Sequence, residues 1–202
     1  MRRDEMEHLV RAAGTILKED RLIVVGSQAI LGKYADGLPA DATVSQELDL
    51  LPLDDPSERK ADLISGTLGE GSPFHDTFHV YADGVSRSTS RLPRGWEERL
   101  IPVLTAETRG VTAYCLEPHD LLIAKYLADR EKDRRFCRAI VQAGLVQQQT
   151  LERRLGETEC APDEIERVLN AIRADFGPRK VTDFLGGPSP PKKSKGHEGP
   201  DL

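Results

Sequence analysis

Leu22-Ile23-Val24-Val25-Gly26-Ser27 and Glu47-Leu48-Asp49-Leu50-Leu51-Pro52 are the two stretches on which the fold of this chain turns. The first is a short β-branched apolar run stopped by glycine, which reads as a buried strand turning into a helix at Ser27. That helix is predicted over Gln28 to about Tyr34. The second alternates acidic and apolar side chains until proline ends it, which reads as a strand with one polar face. Successive side chains on a strand point to opposite faces, so Glu47 and Asp49 point the same way, with Cα atoms about 7 Å apart.

Upstream of the first strand, Met6, Leu9, Val10, Ala13, Ile16 and Leu17 recur at helical intervals and mark an amphipathic helix over residues 4–18. Downstream, a helix is predicted over 57–68 and a glycine-rich loop follows it. Strands are predicted over 77–85, 100–104 and 111–116. From Pro118 the pattern becomes helical, with segments at 119–127, 131–143, 148–155 and 162–176. Pro162 sits at a favourable first-turn position for the last of these. The chain therefore reads as α/β, with the sheet in residues 1–117, a helical part in 118–185 packed on it, and a Gly/Pro/Ser/Lys-rich tail in 186–202 expected to be disordered.

The 202 residues suit one domain of ordinary size. A formal charge of −6 argues against a broad basic surface for non-specific nucleic-acid binding. Cys115, Cys137 and Cys160 are widely spaced, form no CxxC pair and read as reduced thiols of a cytoplasmic protein. The charged N-terminus does not fit a signal peptide, and no segment has the length of a membrane span.

The strand-Gly26-Ser27 turn and the Glu47-x-Asp49 pair complement each other chemically. Gly26 lets backbone approach a phosphate, and Ser27 offers a hydroxyl and an N–H at the positive end of a helix. The carboxylates supply the hard oxygen donors that Mg²⁺ prefers when it bridges to phosphate oxygens. Taken alone, either half is ordinary: a tight turn, and a solvated strand face.

These residues resemble the nucleotidyltransferase-fold superfamily, whose signature is Gly-Ser at a helix start followed by an Asp-x-Asp strand; here the segments are VVGSQAILG and ELDLLP. The segments FHDTFHVYADGV, LPRGWEERLIPV and LEPHDLLIAKYLADREKDRRFCRAIVQAGLV are similar to a bacterial group related to AbiEii-type toxin nucleotidyltransferases, over about residues 20–155. The resemblance implies a mixed sheet flanked by helices. It implies transfer of a nucleoside monophosphate from an NTP to an RNA (a tRNA) or protein acceptor, with Mg²⁺ as cofactor and an antitoxin protein as partner. Glu47 and Asp49 would be metal ligands, and Gly26 and Ser27 would bind the nucleotide. Glu47 stands where the superfamily has aspartate, and its extra methylene alters the metal geometry. Lys125 and Arg130 would also bind the nucleotide. Asp133 would orient Lys125 or Arg130, or act near the attacking hydroxyl. Without the resemblance, Lys125 and Arg130 to Asp133 read as a helix face laced with ion pairs. Asp83 is the candidate third metal carboxylate or, equally, a turn aspartate before Gly84.

His75 and His79 read as a surface pair, and His119 as a helix start. Trp96, near Arg94 and Arg99, reads as a core anchor in preference to a base-stacking platform. Two further functions fit the same residues: a nucleotide-binding or regulatory protein weakened in catalysis at Glu47, and a protein-interaction module using the acidic strand.

Overall fold

The computed structural model describes residues 1–177, so the tail expected to be disordered and the end of the predicted helical part lie outside the described residues. The central strand β1 (Arg21–Val25) is the apolar run itself. It pairs antiparallel with β2 (Glu47–Pro52) on one side and parallel with β5 (Thr112–Cys115) on the other. β3 (Tyr81–Gly84) adds to β2 in parallel, and β4 (Ile101–Val103) to β5 in antiparallel. The sheet is therefore mixed, in the order β3-β2-β1-β5-β4. A strand with neighbours on both edges and cover on both faces has no polar side, which is why Leu22 to Val25 are all buried.

The helix predicted at the N-terminus forms as α1 (Arg3–Leu17), burying Met6, Leu9, Val10 and Ala13 completely. Each of the larger side chains contributes roughly 1.5–3 kcal/mol by leaving water. After β1 the chain forms a six-residue 3-10 helix, Ser27–Gly32, in place of the longer helix expected to Tyr34. A short helix α2 (Ala40–Thr43) precedes β2, and α3 (Arg59–Leu68) packs on β2 and β3.

One stretch read as strand is partly helix. Residues Pro73–Phe78 form α4, and β3 begins only at Tyr81. Ser72 caps α4, its Oγ accepting from the His75 N–H at 3.2 Å, and Pro73 takes the first turn. Such a cap is worth about 1 kcal/mol, enough to overrule the strand preference of the aromatic residues that follow. His79 then stops the helix with a left-handed φ of 59°.

The C-terminal helices are α5 (Pro118–Ala128), α6 (Glu131–Gln142), α7 (Gln148–Gly156) and α8 (Pro162–Phe176). α5 is apolar nearly all round because α6, α7, α8 and the 3-10 helix after β1 surround it. Its buried side chains join those of the sheet in one continuous core. Asp120 on α5 is fully buried between Arg99, at 2.7 Å, and Arg154 of α7, at 3.0 Å. No helix among the described residues is long and apolar enough to cross a membrane.

Candidate functional site

β1 ends at the place where β2 presents its acids. Val25 pairs with Asp49, so the next residue, Gly26, turns directly over that carboxylate. Gly26 has φ +64°, and a β-carbon built on it would fall 1.7 Å from Asp49 Oδ2. No other residue fits there: the left-handed backbone and the close approach each demand glycine.

The parallel register of β2 with β3 sets Tyr81 beside Glu47 and Asp83 beside Asp49. Glu47, Asp49 and Asp83 consequently share one face, while Leu48 and Leu50 on the other face are wholly buried. Burial raises the pKa of Glu47, and so does the neighbouring Asp49 charge, with Lys132 opposing and Asp83 adding. Burial likewise raises that of Asp49; Lys125 opposes this, and Asp83 reinforces it. Oxygen donors side by side, poorly neutralised by the protein's own cations, suit a hard divalent cation. Among the described residues no three His, Cys, Asp or Glu side chains are drawn together tightly enough to hold one unaided.

Opposite the acids stands the corner between α5 and α6. α5 stops at Asp129, whose φ is +54°, and Arg130 is extended before α6 begins. Lys125 and Asp133 thus meet across a broken helix, not along a continuous one. Lys125 Nζ lies 3.1 Å from Asp133 Oδ1, and Arg130 Nε donates to Asp133 Oδ2 at 2.6 Å. Burial pushes the Asp133 pKa upward, but the hydrogen bonds from Arg130 and Lys125 outweigh it and hold the carboxyl below its usual range. Asp133 is thus ion-paired to both cations, one on each carboxylate oxygen.

A cavity of about 900 Å³ lies between these groups, lined by Gly26, Ser27, Glu47, Asp49, Lys125 and Arg130 among others. Asp83 is not among the lining residues, although it flanks Asp49 in the sheet. Ser27 faces the cavity from the first position of a six-residue 3-10 helix. Its hydroxyl and N–H are local donors; a helix this short adds little of the dipole expected from the sequence.

Among the lining residues not singled out in the sequence, Lys132 and Gln28 are notable. Lys132, exposed on the first turn of α6, forms no ion pair among the described residues and acts on both Glu47 and Asp49. Gln28 is 1% exposed, its Nε2 donating to the Ala42 carbonyl at 3.3 Å while Oε1 has no hydrogen-bond partner. An orphaned buried acceptor costs about 1–3 kcal/mol. Lys132 carried a weak signal as the centre of a basic-acidic cluster; Gln28 carried none.

Other residues weighed in the sequence have structural roles. Trp96 is buried, with the Arg87 guanidinium 5.6 Å over its ring, and Arg99 is committed to Asp120. His119 Nδ1 lies 2.8 Å from Glu117, and its Nε2 accepts from the Gln147 N–H at 3.0 Å, so both ring nitrogens are engaged. His75 sits on α4, where Nδ1 accepts from the Gly71 N–H at 3.0 Å. Cys115, Cys137 and Cys160 are free, and burial pushes the Cys115 thiol up to about 12.

A mixed sheet whose central strand ends in Gly-Ser against an acidic neighbouring strand defines a nucleotidyltransferase-like α/β protein. The family model for nucleotidyltransferases of unknown function, DUF6036, matches residues 4–179, and the chain belongs to that family. No curated protein and no solved structure matches the chain.

Proposed function

We propose that the chain is a divalent-metal-dependent nucleotidyltransferase that moves a nucleoside monophosphate from an NTP to an RNA or protein hydroxyl. The approach of Gly26 to Asp49 across the cavity from Lys125 carries this reading. Glu47 and Asp49 would hold Mg²⁺, with Asp83 as the third carboxylate. When bound, the ion neutralises charge on the phosphates and fixes them for in-line attack. Gly26 gives the triphosphate room to approach backbone, and Ser27 donates to it. Lys125 and Arg130, held by Asp133, would contact its outer oxygens as fixed cations. The acceptor hydroxyl gives up its proton to water as its oxygen attacks the α-phosphorus, the α–β bridging bond breaks, and pyrophosphate leaves.

An RNA acceptor such as a tRNA, and service as a toxin restrained by an antitoxin protein, rest on the resemblance of residues 20–155 to AbiEii-type enzymes. Incubating the purified protein with Mg²⁺, each α-labelled NTP and total RNA tests the reading. Label should appear on RNA or protein and vanish in Asp49→Ala; absence of any labelled product with all four NTPs sinks it. Glu47 in place of aspartate favours a second reading, a nucleotide-binding protein weakened in catalysis. Under it the wild type binds NTP without turnover, and Glu47→Asp creates transfer.

A further inference from the structure

Of the polar side chains lining the cavity that the proposed triphosphate and metal chemistry leaves unused, one is buried with an unpaired atom. Among the described residues, two buried side-chain polar atoms lack a hydrogen-bond partner, Gln28 Oε1 and Arg154 Nε. Arg154 Nε still lies 3.0 Å from the Asp120 carboxylate, so its charge is matched. Gln28 Oε1 has no such compensation. Its orientation is determined, because the Ala42 carbonyl can accept only from the amide nitrogen, 3.3 Å away, which turns the oxygen elsewhere.

The residue follows Ser27 directly and lines the same cavity, as do Ala42, Ser45 and Gln46 on the segment leading into β2. Gln28 and Ser27 therefore border the same ligand, and an unpaired acceptor beside the phosphate donor matches whichever part of an NTP carries donors. That is the nucleoside: its sugar hydroxyls and its base N–H groups are donors, and Oε1 is an acceptor.

We infer that Gln28 selects the nucleotide by accepting a hydrogen bond from a nucleoside O–H or N–H. The inference rests on the NTP reading of this cavity. It makes Gln28 a specificity residue, distinct from the charged groups that bind every triphosphate alike. A site built around an unpaired acceptor rejects an analogue lacking the matching donor, because the acceptor then stays buried and unpaired.

The test compares wild type with Gln28→Met, which keeps similar bulk and removes both amide groups. Binding of ATP, GTP, CTP and UTP and of the 2′-deoxy and 3′-deoxy analogues is measured by calorimetry with Mg²⁺, together with thermal unfolding of each protein. Wild type should discriminate about tenfold or more at one feature, and Gln28→Met should bind all of them with that discrimination gone. The deoxy series identifies a sugar donor, and the base series a base donor. Losing the orphaned acceptor offsets losing the Nε2 bond to the Ala42 carbonyl, so the unfolding midpoint should stay near that of the wild type. If both proteins bind NTPs with the same preferences, or if Gln28→Met does not fold, Gln28 is a structural amide and the inference is overturned. If neither protein binds any NTP, the nucleotide reading itself falls, and the inference with it.

Discussion

Lys125 Nζ lies 3.1 Å from Asp133 Oδ1 with both side chains buried, and the same carboxylate takes Arg130 Nε on its other oxygen at 2.6 Å. One acid thus aims two cations from either side of the α5–α6 corner. Asp133→Ala leaves Lys125 buried without its counter-charge, which costs about 3–5 kcal/mol by analogy with other buried pairs. Asp133→Asn keeps the shape, so it should cost less stability while still weakening NTP binding, because the amide no longer fixes the cations. The pH sense follows from the depressed Asp133 pKa. Its contribution is complete above the ordinary aspartate value, about 3.9, and is lost as pH falls through the lower folded value. Urea unfolding of wild type and Asp133→Asn should therefore differ at neutral pH and converge only in strong acid.

Glu47 and Asp49 carry the opposite sign. Their folded pKa values are raised, so the fold gains from them below the ordinary carboxylate range and loses that gain as pH rises through the raised values. Asp49→Asn should stabilise the metal-free protein at neutral pH, by about 1 kcal/mol as for other relieved functional strain, and the advantage should disappear near pH ~4. Mg²⁺ should reverse the order. Binding at a hundredfold excess over Kd adds about 2.7 kcal/mol to the wild type and little to Asp49→Asn. Melting curves with and without Mg²⁺ at two pH values read both effects; a variant less stable than wild type without metal refutes the charge argument.

The sequence revealed the site's two halves because both are short and local. Val25-Gly26-Ser27 is a strand stop, and Glu47-Leu48-Asp49 alternates with the period of a strand. Asp83 and the Lys125–Asp133 pair came from the resemblance alone, because both depend on contacts between distant segments. The strand order places Asp83 beside Asp49 through a β2–β3 pairing that no local pattern encodes. Lys125 reaches Asp133 because Asp129 adopts a left-handed conformation, which favours Asn and Asp yet is optional for them. α4 was hidden for another reason: Ser72-Pro73 is as good a turn as it is a helix start, and Phe74, Phe78 and Tyr81 favour strand. Gln28 is conspicuous only once Ala42 is seen to take its nitrogen.

Gly26 offers a sharper test than either acid. Gly26→Ala must accommodate both a φ of +64° and a β-carbon 1.7 Å from Asp49 Oδ2, so the turn or the carboxylate has to move. The left-handed strain alone costs on the order of 1–3 kcal/mol. NTP and Mg²⁺ binding should fall at least tenfold in the protein that remains folded. Pairing Gly26→Ala with Asp49→Ala removes the clashing carboxylate and should restore part of the stability without restoring binding. A double variant no more stable than Gly26→Ala alone would show that the contact is not the source of the cost.

Lys132 separates charge from architecture. It is exposed, unpaired among the described residues, and lines the cavity, whereas Lys125 is buried and tied to Asp133. Lys132→Ala should therefore leave the unfolding midpoint nearly unchanged. It should weaken NTP binding by a modest factor, about three- to fivefold for an exposed charge contributing up to ~1 kcal/mol, and the loss should shrink as salt screens the interaction. Lys125→Ala should do the reverse, losing stability along with affinity and responding little to salt because the pair is desolvated. Measuring NTP affinity for both variants across a salt series distinguishes them. Identical salt slopes would mean that the two lysines meet the triphosphate in the same environment, and that the buried corner does not hold Lys125 apart from solvent when nucleotide is bound.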